Sequence, residues 1–462
     1  MASAEKFDDI ILGGGKGGKS LAMALGPAGH KVALIERGQI GGSCINVACI
    51  PTKTMVASTK LFEQVKHAKE WGLELPAPAA QIKGIIERKR RVVKGMVDKH
   101  VSLFGSTTNM DFLLGTGKFI EPKIIEVELA DGKTRLLTAD RIFINTGSKT
   151  SIPEIEGLSS VPYLTSTSIM ELDTLPEHLA IVGGGYIALE FAQVFARLGS
   201  KVTVLLRGDR FLPNEDLDIA EHVKELLIAD GISFRSGVGI SSASTAGSGV
   251  VLKLKVAGEE ESFECSHLML AIGRTANTAG LNLQACGVET DSRGNIKVND
   301  QLETNVKGIW ALGDCNGGPL FTHVSWDDYR IVRDNILKNA NRSTKDRLVP
   351  YTLFIDPELG RVGLTEEQAK QKGYEILVAK IPAQTIPRAI TSGEPKGLLK
   401  AVVDKKTGQI LGCSLLCHSA GEVMSVVQTA MIGKLSYTTL RDTIFTHPTM
   451  AESLNLLFAS IG

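Results

Sequence analysis

The chain has 462 residues, more than one hydrophobic core usually serves, so two to four domains are expected. Its 51 lysines and arginines balance 51 aspartates and glutamates, with no long basic run, so nothing steers a polyanion and nucleic acid is not an expected partner. No apolar run approaches the ~20 residues of a membrane helix, the opening MASAEKFDDIILGGG lacks a signal-peptide pattern, and seven scattered cysteines do not form the even framework of a small secreted scaffold; a soluble, cytoplasmic protein without membrane contact is the expectation.

The first element, DDIILGGGKGGKSLAMALGPAGHKVALIER (residues 8–37), reads as a strand, a glycine turn, a small-residue helix and a second strand. In Gly13-x-Gly15-x-x-Gly18 the first glycine permits the tight turn, the second lets backbone approach a pyrophosphate, and the third allows close helix–strand packing. Glu36 ends the second strand, where a carboxylate can bond both ribose hydroxyls of an adenosine; a merely glycine-rich turn leaves that residue unexplained.

Next comes GGSCINVACIPTK (residues 41–53), with Cys44 and Cys49 at the expected start of a helix, a location that lowers thiol pKa and suits a redox pair. By spacing alone the two cysteines fit equally well as small packed hydrophobes, and a zinc site is disfavoured because no second Cys or His pair follows at ligand spacing. RIFINTGS (141–148) looks like a strand returning to the first sheet.

The segment HLAIVGGGYIALEFAQVFARLGSKVTVLLR (178–207) repeats the first pattern, with the fingerprint Gly183-x-Gly185-x-x-Ala188. Here the second strand ends in Leu206, followed by Arg207, Gly208, Asp209 and Arg210. A carboxylate would repel a 2′-phosphate whereas arginines bind one bidentately, so NADPH is favoured, with NADH possible; the alternative makes Arg207 and Arg210 ordinary surface charges. STAGSGVV, near Ser244, reads as a hairpin or loop, and LMLAIGR (268–274) and GIWALGD, ending at Asp314, as further returning strands. From about Val349 longer alternating strands and amphipathic helices predict a separate α+β domain. The fold class is thus α/β, with two Rossmann-like dinucleotide-binding domains and a C-terminal α+β domain.

GGSCINVACIPTK resembles the redox-disulfide signature of the class I pyridine nucleotide-disulfide oxidoreductases, the family of glutathione reductase, dihydrolipoamide dehydrogenase and mercuric reductase. The likeness runs over essentially the whole chain and includes both fingerprints, the TGS turn, Gly313-Asp314 and THPTMAESL, which is similar to the family's His-Pro-Thr-x-x-Glu motif. It implies FAD and NAD(P)H as cofactors and a homodimer. It divides the chain into an FAD-binding domain (1–155), an NAD(P)-binding domain (156–276), a central domain completing the FAD site (277–347) and a dimerisation domain (348–462).

The resemblance makes Cys49 the thiol next to the flavin and Cys44 the interchange thiol that attacks the acceptor. Lys53 and Glu190 match the ion pair beside the flavin, and Tyr186 the lid of the nicotinamide pocket. His447, oriented by Glu452, matches the acid/base that reaches across from the partner subunit, a role suited to a histidine near its titration point. Asp314 would bond the ribityl chain, with Thr146 and Gly147 beside the FAD, and Gly42, Ser43, Gly273 and Arg274 fall in the cofactor-binding motifs.

Within the family, a glutathione reductase is disfavoured: Met23 stands where that enzyme has an arginine and no tyrosine precedes Tyr163, although Arg330 matches a second glutathione arginine. The NADPH reading disfavours a dihydrolipoamide dehydrogenase. The C-terminal cysteine pair of mercuric reductase is missing, since the last cysteine is Cys417. FTHVSWDDYRIVRDNI, IPRA (386–389) and FTHPTMAESL resemble the bacterial reactive-chlorine-resistance flavoprotein reductases, although Leu206-Arg207 replaces the acid expected there. That resemblance implies an NAD(P)H-driven oxidoreductase passing hydride through FAD to Cys44–Cys49 and on to a metal ion such as Hg(II) or Cu(II), to oxygen, or to an oxidised thiol, in stress or metal defence, with NADPH as the donor that Arg207 favours. A low-molecular-weight disulfide reductase and a dihydrolipoamide dehydrogenase are the enzymatic alternatives, and a flavin redox sensor the non-enzymatic one. No resident metal is expected; Cys413, Cys417 and His418 could supply soft ligands, but packing on a strand explains the two cysteines better.

Overall fold

The computed structural model describes residues 4–247 and 249–461. Its contacts form two compact units: the chain up to Thr54 with Gly84–Ser151 and Gly273–Arg347, and Met55–Lys83 with Ile152–Ile272 and the chain from Leu348 onward.

In the first unit the strand Glu5–Leu12 lies between Val32–Glu36 and Thr134–Ile144, parallel to both; Val32–Glu36 pairs on with Met110–Glu121, and Thr134–Ile144 with Ile309–Ala311. Ile124–Leu129 joins Met110–Glu121 and Thr134–Ile144 as an antiparallel meander. The strands read as near-continuous apolar runs because both faces are covered. Ile11, Leu34 and Phe143 pack with Leu21 and Leu25 of the helix Lys16–Leu25 and with Ile331 and Val332 of the helix Thr322–Lys338. Their neighbours Ile10, Leu12, Ile142 and Ile144 point the other way, as the period of two requires, onto Phe119, Ile125 and Leu283.

The second unit carries a parallel sheet in the order Ile232–Arg235, Lys201–Leu205, His178–Val182, His267–Leu270, Tyr163–Leu164. A three-stranded antiparallel sheet, Val238–Ala246, Gly249–Val256 and Glu259–Cys265, contains the expected STAGSGVV hairpin, whose Ser248 lies outside the described residues. The α+β texture after Val349 becomes a five-stranded antiparallel sheet in the order Tyr351–Leu353, Glu358–Gly363, Ile410–Cys417, Leu398–Asp404, Ile376–Pro382, packed by the helices Ala420–Ile432 and Ser453–Ala459. Cys413 and Cys417 are buried in that core, where burial pushes the Cys413 thiol up to about 12, the behaviour of a packed hydrophobe. Among the described residues no helix is long and apolar enough to cross a membrane.

Leu34 is fully buried in the layer that supports the first glycine turn. Leu34→Ala should lower stability by about 2–5 kcal/mol through the cavity it leaves, read as an earlier urea midpoint with the far-ultraviolet spectrum of the folded state unchanged.

Candidate active site

The two fingerprints are built alike. Leu12 pairs with Ile35 and Val182 with Leu205, and in each case the next glycine donates its N–H to that partner's carbonyl, Gly13 to Ile35 at 2.8 Å and Gly183 to Leu205 at 3.0 Å. Both glycines have positive φ, +104° and +117°, and a Cβ on either would strike a carbonyl oxygen at 2.3 and 2.4 Å, that of Asn145 and that of Ala271. No other residue type fits these turns.

This register makes Glu36 and Leu206 equivalent, and they differ in chemistry. The Glu36 carboxylate accepts from the N–H of Gly14 and of Gly38, both at 2.8 Å, so it is held over the first turn. Leu206 instead lies against Gly184, where a Cβ would come within 2.3 Å of its Cδ2. The first turn opens onto a cavity of about 340 Å³ lined by Gly13, Gly15, Glu36, Gly42, Ser43 and Thr146. In its wall the Thr146 hydroxyl is buried without a nitrogen or oxygen partner. A buried hydroxyl with only the Cys315 thiol beside it, the Gly15 backbone at a helix N-terminus and a fixed carboxylate are groups that suit the adenosine and pyrophosphate of FAD, so the residues fit the cofactor.

Behind the cavity Asn145 locks the turn: its Oδ1 accepts from Gly18 N at 2.8 Å and its Nδ2 donates to the Leu312 carbonyl at 2.7 Å. Ser148 donates to Asp314 Oδ2 at 2.5 Å and accepts from Arg274 Nε at 2.7 Å, while the other arm of Arg274 donates to the Ser148 carbonyl. Arg274, following Gly273 at φ +127°, is thus spent on bracing the TGS turn and Asp314.

The redox segment corrects one expectation. It is not one helix start but two helices, Ser43–Asn46 and Cys49–Lys66, with Cys44 in the first and Cys49 opening the second. The structure brings the two thiols into hydrogen-bond contact, and the Thr322 hydroxyl reaches both sulfurs, 3.3 Å from Cys49 Sγ. The Cys44 thiol is not depressed as a helix start would make it: the hydrogen bond to Cys49, burial and the Cys49 charge push it well above the thiol range, with Thr322 and Lys19 pulling the other way. Four residues make too short a helix for its dipole to win, and charge on one sulfur disfavours charge on the other.

In the second unit Ala188 is buried in the helix Tyr186–Arg197. The Tyr186 hydroxyl donates to Glu215 Oε1 at 2.8 Å, where Tyr351 also donates at 2.9 Å, and Arg361 Nε contacts Glu215 Oε2 at 3.2 Å. Burial and the Glu215 charge push Tyr351 up to about 12, and Tyr186 moves the same way for the same reasons. Arg210 donates to the Glu215 carbonyl at 3.0 Å, while Arg207 is exposed beside Leu206. Gly185 has open space where its Cβ would be, and buried Glu190 accepts from Phe354 N at 3.0 Å. Lys53 lies in the first unit, on the helix that Cys49 opens. His447 and Glu452 come together, Nδ1 lying 3.0 Å from both carboxylate oxygens, and the histidine side chain is 66% exposed.

Asn145, Thr322, Glu215, Tyr351 and Arg361 are supporting residues that sequence reasoning missed. A polar residue closing the apolar run RIFIN was the one signal available, for Asn145; the others act through tertiary contacts that no local pattern announces.

Residues 7–328 match the pyridine nucleotide-disulphide oxidoreductase family and residues 349–457 its dimerisation domain. The chain is 40% identical over 460 residues to the probable pyridine nucleotide-disulfide oxidoreductase RclA of Escherichia coli (strain K12), covering 99% of each chain. It is 34% identical over 456 residues to a mercuric reductase of Lysinibacillus sphaericus, covering 99% of this chain and 83% of that one. A solved structure described as the Cu(II) complex of the HOCl-induced flavoprotein disulfide reductase RclA from Escherichia coli superposes with a TM-score of 0.92 at 39% identity, covering 99% of this chain and 100% of that chain. The chain belongs to the pyridine nucleotide-disulphide oxidoreductase family, whose members use FAD with NAD(P)H as electron donor.

Removing the Glu36 carboxylate deletes a charged acceptor, worth about 1.5–3 kcal/mol. Glu36→Ala should therefore bind FAD about 10- to 100-fold more weakly, measured as a lower 450-to-280 nm absorbance ratio in the isolated protein and a weaker constant on FAD titration.

Proposed function

We propose that this oxidoreductase uses NADPH to reduce a thiophilic metal ion, Cu(II) or Hg(II), at the Cys44–Cys49 pair. The observation that carries the reading is the pair itself: two sulfurs in contact, with Thr322 on both. Bound FAD supplies the two-electron relay between the nicotinamide and the disulfide. The balance is one NADPH and two Cu(II) giving NADP⁺, two Cu(I) and one proton, or one Hg(II) giving Hg(0). Two adjacent soft sulfurs suit such an ion, in keeping with the Cu(II) complex of the RclA structure and with the mercuric reductase relatives.

The protein's residues have separable tasks in this reading. Glu36, Thr146, Gly147 and Asp314 hold FAD, with the Gly13–Gly18 turn and with Gly42 and Ser43 of the redox loop. Gly183, Gly185 and Ala188 would receive NADPH, with Tyr186 as the residue that would shield the nicotinamide, and Lys53 and Glu190 are the residues that would serve the flavin. Gly273 and Arg274 serve the cofactor through Ser148 and Asp314. Cys44 engages the acceptor and Cys49 faces the flavin. His447, held by Glu452 and exposed on its own protomer, exchanges protons with the thiols of a second copy, so the working form is a homodimer. The four-region division at 155, 276 and 347 is proposed on the same footing, as is a cytoplasmic site of action. Glutathione disulfide fits less well, since Arg330, the one matched glutathione arginine, is committed to Asp327 at 2.7 Å and to the Trp326 ring.

Two outcomes test the reading. Cys44→Ser should keep NADPH-to-flavin reduction in anaerobic stopped flow yet lose Cu(II) and Hg(II) turnover by at least about 100-fold, in the range of losing a nucleophile; turnover at the wild-type rate would sink it. Arg207→Ala should raise the KM for NADPH about tenfold or more by removing a charged contact to the 2′-phosphate, and leave the KM for NADH within twofold; equal effects on both nucleotides would return Arg207 to the solvated surface.

A further inference from the structure

Lys19 is a buried cation whose hydrogen-bond partners, among the described residues, include no carboxylate. It sits on the inner face of the helix Lys16–Leu25, 3% exposed, and its ammonium donates to the Gly41 carbonyl at 3.2 Å and contacts His100 Nε2 at 2.8 Å. His100, on the helix Ile82–Ser106, has its Nδ1 2.7 Å from the Met96 carbonyl, which can only accept. Nδ1 therefore carries the proton and Nε2 is a neutral acceptor. Burial holds the His100 pKa down, and the charges of Lys19, Lys16 and Lys99 act in the same direction. Neither partner of Lys19 brings a negative charge, an arrangement that disfavours the charged lysine unless an anion appears nearby.

The anion appears when the disulfide opens. Reduction takes up two electrons and one proton and leaves one thiol and one thiolate, so the redox loop gains a unit of negative charge. Gly41 begins that loop, three residues before Cys44, and the charges of Lys19 and Cys44 act on one another. Burial, reinforced by Lys16, pulls the Lys19 pKa down to about 8, and Cys44 pulls it back up. Lys16 itself lies over the Trp326 ring at 4.7 Å. Cys49, Thr322 and Lys19 are the charged and polar groups that act on Cys44.

We propose that Lys19, braced by the Gly41 carbonyl and His100, is a positioning residue that stabilises the reduced, anionic Cys44–Cys49 pair and so raises the reduction potential of the disulfide. The inference builds on the reading of this pair as the redox centre but does not depend on which acceptor it serves.

The test is the disulfide equilibrium of the FAD-loaded enzyme in dithiothreitol redox buffers at pH 7, quenched in acid, alkylated and read by mass spectrometry of the peptide spanning both cysteines. Lys19→Gln removes the charge but keeps an amide donor for Gly41; the reduced fraction should fall by a factor of about ten in equilibrium constant, about 30 mV for two electrons. Lys19→Arg should restore the potential to near wild type, and Lys31→Gln, which removes an exposed charge just before the strand Val32–Glu36, should leave it unchanged. His100→Leu keeps the lysine but takes away one acceptor, and should shift the potential in the same direction as Lys19→Gln; it serves also if Lys19→Gln does not load FAD. Potentials in the Lys19→Gln and His100→Leu enzymes within twofold of wild type in equilibrium constant overturn the proposal. Because neither NADPH nor metal enters this measurement, metal turnover that persists in Cys44→Ser would reject the proposed acceptor chemistry and leave the Lys19 result standing.

Discussion

A Cβ on Gly42 would sit 2.6 Å from the Gly15 Cα, and one on Gly18 would sit 2.1 Å from the Gly13 carbonyl oxygen. At these two points backbone meets backbone with no side chain between, and the cofactor cavity and the redox loop are consequences of that approach. Gly18 lets the helix Lys16–Leu25 settle on its strand, so the turn that caps it, with Gly13 and Gly15, lines the cavity. Gly42, at φ +74°, lets the redox loop cross the same turn, so Cys44 follows within two residues of the cavity wall. Asn145 fixes the third side by taking the Gly18 N–H and giving its own amide to Leu312. The glycines are therefore one constraint: the separation of the nucleotide site from the disulfide is set by how closely three pieces of backbone pack.

The second fingerprint repeats the geometry without repeating the chemistry. Identical pairing places Glu36 and Leu206 at the same point of the βαβ unit, yet one carries a carboxylate held by two backbone amides and the other an apolar side chain folded over a glycine. The two turns share one backbone geometry, and in such βαβ units the residue at the end of the second strand decides which ribose is welcome. Leu206 neither repels a 2′-phosphate nor offers an acceptor to a free 2′-hydroxyl, and the exposed Arg207 beside it supplies positive charge. Arg210 contributes less to that field than its spacing suggests, because its guanidinium is turned back onto the Glu215 carbonyl.

What was legible in the sequence follows from whether the signal is local. The βαβ units, Glu36 and the paired cysteines are written in short windows, because turn geometry and strand registration involve neighbouring residues. The supports of the site are not. Glu215 gathers Tyr186, Tyr351 and Arg361 from separate stretches of chain, and Thr322 approaches Cys49 across 273 positions. The one misreading at the centre, a thiol pKa depressed at Cys44, arose from the same cause. A local rule about helix starts was applied where a second sulfur, itself able to carry the charge, controls the outcome.

That second sulfur also explains why charge, more than shape, organises the redox loop. A disulfide is neutral and its two-electron product is not, while the surrounding backbone hardly needs to move. The groups around the pair therefore act by what they do to one unit of negative charge appearing in a half-buried place. Cys49 stands at the first position of an 18-residue helix, at the positive end of its dipole. Cys44 has no such helix, and burial disfavours its ionised form. The asymmetry favours placing the charge on Cys49 and leaving the proton on Cys44. A cation behind Cys44 rather than Cys49 then has a distinct effect: it narrows the gap between the two sulfurs, so that the charge can pass to Cys44 when an acceptor arrives without first making the whole pair hard to reduce.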